Sequence, residues 1–125
     1  MKFFECNGCW NLATLLVDQG VNMVCCGAPM QLLTPNTEDA SVEKHVPVAS
    51  RCKNKITVKV GEPIHPNDEK HHIDFIALHT NQGVQYKTPQ IGTQPVAVFN
   101  VQGDEKIIAV YEHCNLHGLW KKEMQ

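Results

Sequence analysis

A thiol and an imidazole stand three residues apart in Cys114-Asn115-Leu116-His117-Gly118, close to the C-terminus. Both side chains bind soft or borderline metals, and a turn of that length lets them meet at one ion. Asn115 and Gly118 both tolerate the tight backbone such a turn needs. One Cys and one His so spaced also occur by chance, as a buried thiol beside a surface imidazole. The N-terminal third carries a denser signal. Cys6-Asn7-Gly8-Cys9 is a Cys-x-x-Cys knuckle with Gly8 at its turn, and Cys25-Cys26-Gly27 follows. Four thiolates in so short a span read as a tetrahedral four-sulfur metal site. Disulfides or free buried thiols are the alternative, but bridging adjacent cysteines closes a strained ring. An adjacent second pair departs from a zinc ribbon, which repeats Cys-x-x-Cys. Its two sulfurs must splay widely, and the metal stays undecided.

Size and charge narrow the setting. The chain has 125 residues, enough for one ordinary core or a small core plus a metal-held module. A net charge of -2 gives no support to a general nucleic-acid or membrane role. No apolar run reaches membrane-spanning length, and Met1-Lys2-Phe3-Phe4-Glu5-Cys6 lacks the apolar core of a signal peptide. The expected address is therefore cytoplasmic, where disulfides are rare. Six cysteines and seven histidines then point to metal.

Two units must position these groups. Residues 1–36 form the first: two cysteine pairs around a short apolar segment, Leu12 to Val17, and a turn at Asp18-Gln19-Gly20. So small a unit buries little, so its metal must contribute to folding. Thr34 to Ala40 reads as a linker. Beyond it, Ile56-Thr57-Val58-Lys59-Val60 alternates apolar and polar, and Ile73 to Leu78, Val84 to Lys87, Val96 to Val101 and Ile107 to Tyr111 are short β-rich runs. Turn signals separate them at Gly61-Glu62-Pro63, Asn81-Gln82-Gly83, Gly92 and Gly103-Asp104. No long helical period is present. About seven short strands over 37–125 predict a mainly β, immunoglobulin-like antiparallel sandwich.

The histidines fall at particular places in that pattern. His45 precedes Val46-Pro47. His65 is held extended by Pro66. His71 and His72 open the Ile73 strand on opposite faces, so at most one reaches a given metal. His79 and His113 lie in strands or at their ends. Any one of them alone is more often solvated or structural, and composition and spacing leave a second metal site open.

A resemblance adds to this. Glu43-Lys44-His45-Val46-Pro47-Val48, Val58-Lys59-Val60-Gly61 leading to His65-Pro66, Glu69-Lys70-His71, and Cys114-Asn115-Leu116-His117-Gly118 with Trp120 together resemble desulfoferrodoxin, the two-iron form of superoxide reductase. The N-terminal unit is similar to desulforedoxin, down to Cys25-Cys26-Gly27 followed by Pro29-Met30. The resemblance covers nearly the whole chain. It implies one iron held by Cys6, Cys9, Cys25 and Cys26. It implies a second with His45, His65, His71 and His117 around its equator, Cys114 on one axis and the other axis open to superoxide. It selects His71 over His72, whose position is commonly aromatic in the family. Cys52 matches no ligand and reads as a free thiol.

The implied chemistry suits the residues. Superoxide needs one electron and two protons to become hydrogen peroxide. Neutral imidazoles leave the metal centre cationic, and an axial thiolate pushes electron density toward the opposite position. Lys44, beside His45, offers positive charge over the open site. The resemblance gives Glu43 the role of sixth ligand once product leaves. A Glu-Lys pair in a loop is otherwise most often just solvated. The four-sulfur iron has no open position, so it passes electrons or stabilises the fold. A rubredoxin-like electron donor and a homodimer are the implied partners. Two competing readings remain at this point: an iron electron carrier closed by Glu43, and a zinc-stabilised binding module without redox chemistry.

Overall fold

Strands are the only regular elements among the described residues, which in this computed structural model are 1–38, 45–61 and 65–124. Short β-branched runs broken by Gly and Asn-Gln-Gly turns leave no stretch long enough for a stable helix, and no helix is long and apolar enough to cross a membrane. The chain divides into two compact units, Met1–Thr34 and Pro35–Gln125.

The first unit holds β1 (Phe3–Glu5), β2 (Leu12–Thr14), β3 (Val24–Cys25), β4 (Ala28–Pro29) and β5 (Gln31–Leu32). β1 lies between β2 and β5 in one small sheet, while β3 and β4 form a separate hairpin. Phe3 and Cys6 are its buried apolar side chains, and Leu16, Val17 and Val21 stay exposed.

The second unit holds β6 (Pro47–Cys52), β7 (Lys55–Val60), β8 (Ile73–Thr80), β9 (Gly83–Lys87), β10 (Val96–Asn100), β11 (Ile107–Cys114) and β12 (Gly118–Glu123). Two antiparallel sheets, in the orders β10-β7-β6 and β12-β11-β8-β9, make the sandwich that the pattern predicts. Alternation sets the core: Ile56, Val58 and Val60 of β7 point inward, and meet Phe99 of β10, Ile76 and Leu78 of β8, and Val110 of β11. Pairing of Val58 with both Ala49 and Ala97 fixes the register of the first sheet.

Three details differ from the sequence reading. The seven strands match the expected number, but β6 and β12 are not among the runs that it names. β8 and β11 run further than expected, to Thr80 and Cys114. The expected linker is partly fixed, because Asn36 bridges to Trp120, donating its N–H to Leu119 O at 2.9 Å and accepting from Lys121 N at 2.8 Å. Residues 39 and 40 lie outside the described residues.

The strand directions collect one set of loops. β6 and β8 begin, and β7 and β11 end, at the same edge of the sandwich, where Pro47 faces Val60 and Ile73 faces Cys114. β12 starts there too, at Gly118 opposite Cys114. His45, His65, His71, Cys114 and His117 all lie at or just beyond these strand ends.

Candidate metal centres

In the first unit the two cysteine pairs converge. The sulfurs of Cys6, Cys9, Cys25 and Cys26 all lie within 4.8 Å of one another. Cys9 Sγ and Cys25 Sγ are 3.6 Å apart, far beyond a disulfide bond. Metal–sulfur bonds of about 2.3 Å at a tetrahedral angle would place sulfurs roughly 3.8 Å apart, so the spacing fits a shared ion. The splay of the adjacent pair comes from backbone: Cys26 is left-handed at φ 53, a conformation that costs a non-glycine residue energy and that a ligand site can hold. Gly8 lets the two knuckles close, since a Cβ there would sit 3.0 Å from Cys26 Cβ. The amide N–H groups of Cys9 and Gly8 donate to Cys6 Sγ at 3.4 and 3.3 Å and pull that thiol down to about 6. Hydrogen bonding with Cys9, Cys6 and Cys25 pushes the Cys26 thiol up to about 12. The four groups share protons that a cation would displace. Tetrahedral sulfur suits iron or zinc.

The second group is built from rings. His45 contacts His65, His65 contacts His71, His71 contacts His117, and His117 contacts His45, with centroid separations of 4.7, 4.4, 5.1 and 4.7 Å. Neighbouring planes are inclined by 66° to 77°. The four imidazoles therefore close a square. His45 Nε2 and His117 Nδ1 approach to 3.0 Å, the separation of two nitrogens bound at about 2.1 Å and at right angles on one metal. Cys114 Sγ is 3.6 Å from His117 Nδ1, and all five donor atoms lie within 4.8 Å of one another. Zinc prefers four ligands in a tetrahedron. Four imidazoles in a square with a thiolate as fifth donor fit instead a transition metal of five- or six-coordinate preference, and iron satisfies this.

Neighbouring groups orient the donors. His65 Nδ1–H donates to Pro66 O at 2.5 Å, which puts the ring's lone pair on Nε2. The Trp120 indole stacks on His45 at 4.7 Å and 16° and donates from Nε1 to His117 O at 3.1 Å. Asp68 Oδ1 accepts from the N–H groups of Lys70 and His71 at 3.0 and 2.9 Å. Asn67 donates to Gln90 O and Thr93 O and accepts from Ile73 N. Burial pushes the Cys114 thiol up to about 11, against the pull of the Leu116 and His117 amides. Sequence reasoning misses Asn67 and Asp68; the Pro66-Asn67-Asp68 turn chemistry was the available signal.

All nine candidate ligands thus fall into the two groups found among the described residues. His72, next to candidate ligand His71, turns elsewhere and bonds Asp74 Oδ1 from Nε2 at 3.1 Å. His79 and His113 sit within β8 and β11 and belong to neither group. Cys52 is an exposed free thiol at the end of β6. Glu43 and Lys44 lie outside the described residues.

Comparison with known proteins agrees with this arrangement. A family model described as desulfoferrodoxin matches residues 37–123. The chain is similar to the desulfoferrodoxin of Syntrophotalea carbinolica, 42% identical over 124 residues, covering 98% of this chain and 96% of that protein. It is also similar to that of Nitratidesulfovibrio vulgaris, 42% identical over 123 residues, covering 98% and 95%. Among solved structures it is similar to the superoxide reductase from Treponema pallidum, with a TM-score of 0.84, 28% identity, and coverage of 98% and 97%.

Proposed function

Because this chain belongs to the desulfoferrodoxin family, we propose that it is a superoxide reductase, with superoxide as substrate and hydrogen peroxide as product. The closed square of four imidazoles with Cys114 as fifth donor carries the reading, because these five donors suit a redox metal that would take a further ligand from outside. His45, His65, His71, His117 and Cys114 would hold iron, which would supply the single electron that, with two protons, takes superoxide to hydrogen peroxide. The protein's residues set the conditions. Four neutral imidazoles add no charge of their own, so the centre stays cationic and attracts an anion. Cys114, as thiolate, would supply electron density to bound iron, and the Leu116 and His117 amides would temper that push by donating to its sulfur. Lys44 would draw superoxide in, and Glu43 would serve as a ligand to the oxidised iron after product departs.

The same reading assigns residues 1–36 to a desulforedoxin-like iron domain and 37–125 to the catalytic domain. Cys6, Cys9, Cys25 and Cys26 hold the first iron, which passes electrons or stabilises its unit. A rubredoxin-like protein supplies the electron, the chain works as a homodimer, and reduced cysteines suit the cytoplasm. Metal analysis and reaction with superoxide test the core of it. Protein made with adequate iron should hold two irons per chain, and the reduced form should consume superoxide stoichiometrically. Cys114→Ser should abolish the thiolate-to-iron absorption of the second site and most activity. Two zincs in protein from its native source, or iron-loaded protein indifferent to superoxide, would overturn it.

A further inference from the structure

We infer that Asn115 is a positioning residue for the second metal centre: its amide and its backbone N–H bracket ligand His71 and lock it to the turn that carries Cys114 and His117. The inference rests on the metal-site reading above, and its test does not depend on activity.

The need arises from where the ladder stops. Pairing of β8 with β11 begins at Ile73 opposite Cys114, with a register shift between His113 and Cys114. His71 lies two residues beyond that last pair, on a segment that is not strand. Ring position on such a segment would vary by more than a metal's coordination sphere tolerates. Asn115 takes over where the strands end. Its N–H donates to His72 O at 3.1 Å. Its Oδ1 accepts from His72 N at 2.8 Å. Its Nδ2 donates to Lys70 O at 2.9 Å. The residues on both sides of His71 are thereby tied to the residue that follows Cys114. Asp68 holds the same segment from its other side through the Lys70 and His71 amides. The segment that carries His71 is thus held against the turn that carries Cys114 and His117.

The side-chain type follows from this. The clamp needs a donor and an acceptor on one short planar group, which an asparagine has. Aspartate keeps the acceptor and loses the donor, and leucine has the volume with neither. Asn115 is not among the residues of positive φ, whereas Gly118 is, at φ 85. Gly118 therefore supplies the tight backbone of the turn, and Asn115 is there for its hydrogen bonds.

The test titrates metal-free full-length protein with ferrous ion, without oxygen and against a competing chelator, for the parent, Asn115→Leu and Asn115→Asp. Loss of a group that orients ligands typically costs 10–100-fold in metal affinity. Both variants should lose affinity at the second site on that scale, keep the parent affinity at the four-sulfur site, and show a shifted thiolate-to-iron band once oxidised. Parent affinity with the parent ferric spectrum overturns the assignment. So does equal loss at both sites, which would mark general destabilisation. If Asn115→Leu does not fold, Asn115→Asp decides by the same two readouts. Protein that binds iron as expected but ignores superoxide would refute the proposed activity and leave this clamp standing.

Discussion

Taking the metal from the four-sulfur site should unfold Met1–Thr34 and leave the sandwich standing. Phe3 and Cys6 are the buried apolar side chains described in the first unit. A fully buried Phe contributes about 2–3 kcal/mol and the smaller Cys less. A structural site of this kind contributes on the order of 10–16 kcal/mol, several times as much. At about 1.4 kcal/mol per tenfold, loss of even 10 kcal/mol moves the folding equilibrium of the unit by roughly seven powers of ten. The sandwich does not share this dependence. Ile56, Val58, Val60, Ile76, Leu78, Phe99 and Val110 are fully buried there, together worth about 10–20 kcal/mol without metal. Cys9→Ser removes the sulfur that lies 3.6 Å from Cys25. Once metal analysis confirms an empty first site, hydrogen exchange should show peptides from 1–34 exchanging as an unfolded chain does. Peptides from β7, β8 and β11 should keep parent protection, and superoxide reduction should survive. Parent-level protection of 1–34 without metal would refute the reasoning. Matching losses of protection in β8 and β11 would do the same, and matching loss of activity would make the first iron an obligatory part of the mechanism.

Other outcomes follow from single residues. Lys44→Ala should slow the reaction with superoxide by roughly 10–10³-fold and flatten its salt dependence, because steering weakens with ionic strength. Glu43→Ala should leave that encounter unchanged and alter the resting ferric spectrum. Stopped-flow mixing at several ionic strengths reads both, and a parent salt slope in the Lys44 variant would end the steering role. Gly8→Ala should weaken the first metal site and spare the spectrum of the second, since the added carbon meets Cys26 Cβ at 3.0 Å and Cys26 Sγ at 3.4 Å. Glu105 should make the sandwich acid-sensitive. The Thr80 hydroxyl and the Gln102 amide hold its carboxyl below the ordinary value of 4.5. A pKa lower in the folded state stabilises fully above the unfolded value and loses that contribution as pH falls through the folded one. Glu105→Gln should therefore flatten the fall in urea midpoint below about pH 4.5, and an unchanged slope would remove Glu105 from the account.

How far the site could be read in advance depends on what each residue contributes. Donor atoms are chemical types, so Cys6, Cys9, Cys25, Cys26, Cys114 and the histidines announce themselves. The choice of His71 over His72 does not follow from type, because adjacent residues differ only in direction. In the structure the His71 ring joins the donor group, while the His72 ring bonds Asp68 O and Asp74 Oδ1 instead. Strand β7 was legible because Ile56, Val58 and Val60 alternate with exposed or half-buried neighbours. β6 hides because Pro47 is its one buried residue. β12 hides because Leu119 and Trp120 are both buried although they face opposite sides, which erases the period of two. The least legible layer is the set of side-chain amides and carboxylates around the ligands. Asn67, Asp68 and Asn115 look like ordinary turn formers. Each nonetheless accepts or donates bonds to a segment that carries or flanks a candidate ligand. A metal centre at the end of a sandwich draws its donors from loops, and loops have no ladder to hold them. The accuracy of such a centre therefore comes from polar residues that propensity assigns to turns, which is why those residues hold the remaining information about the site.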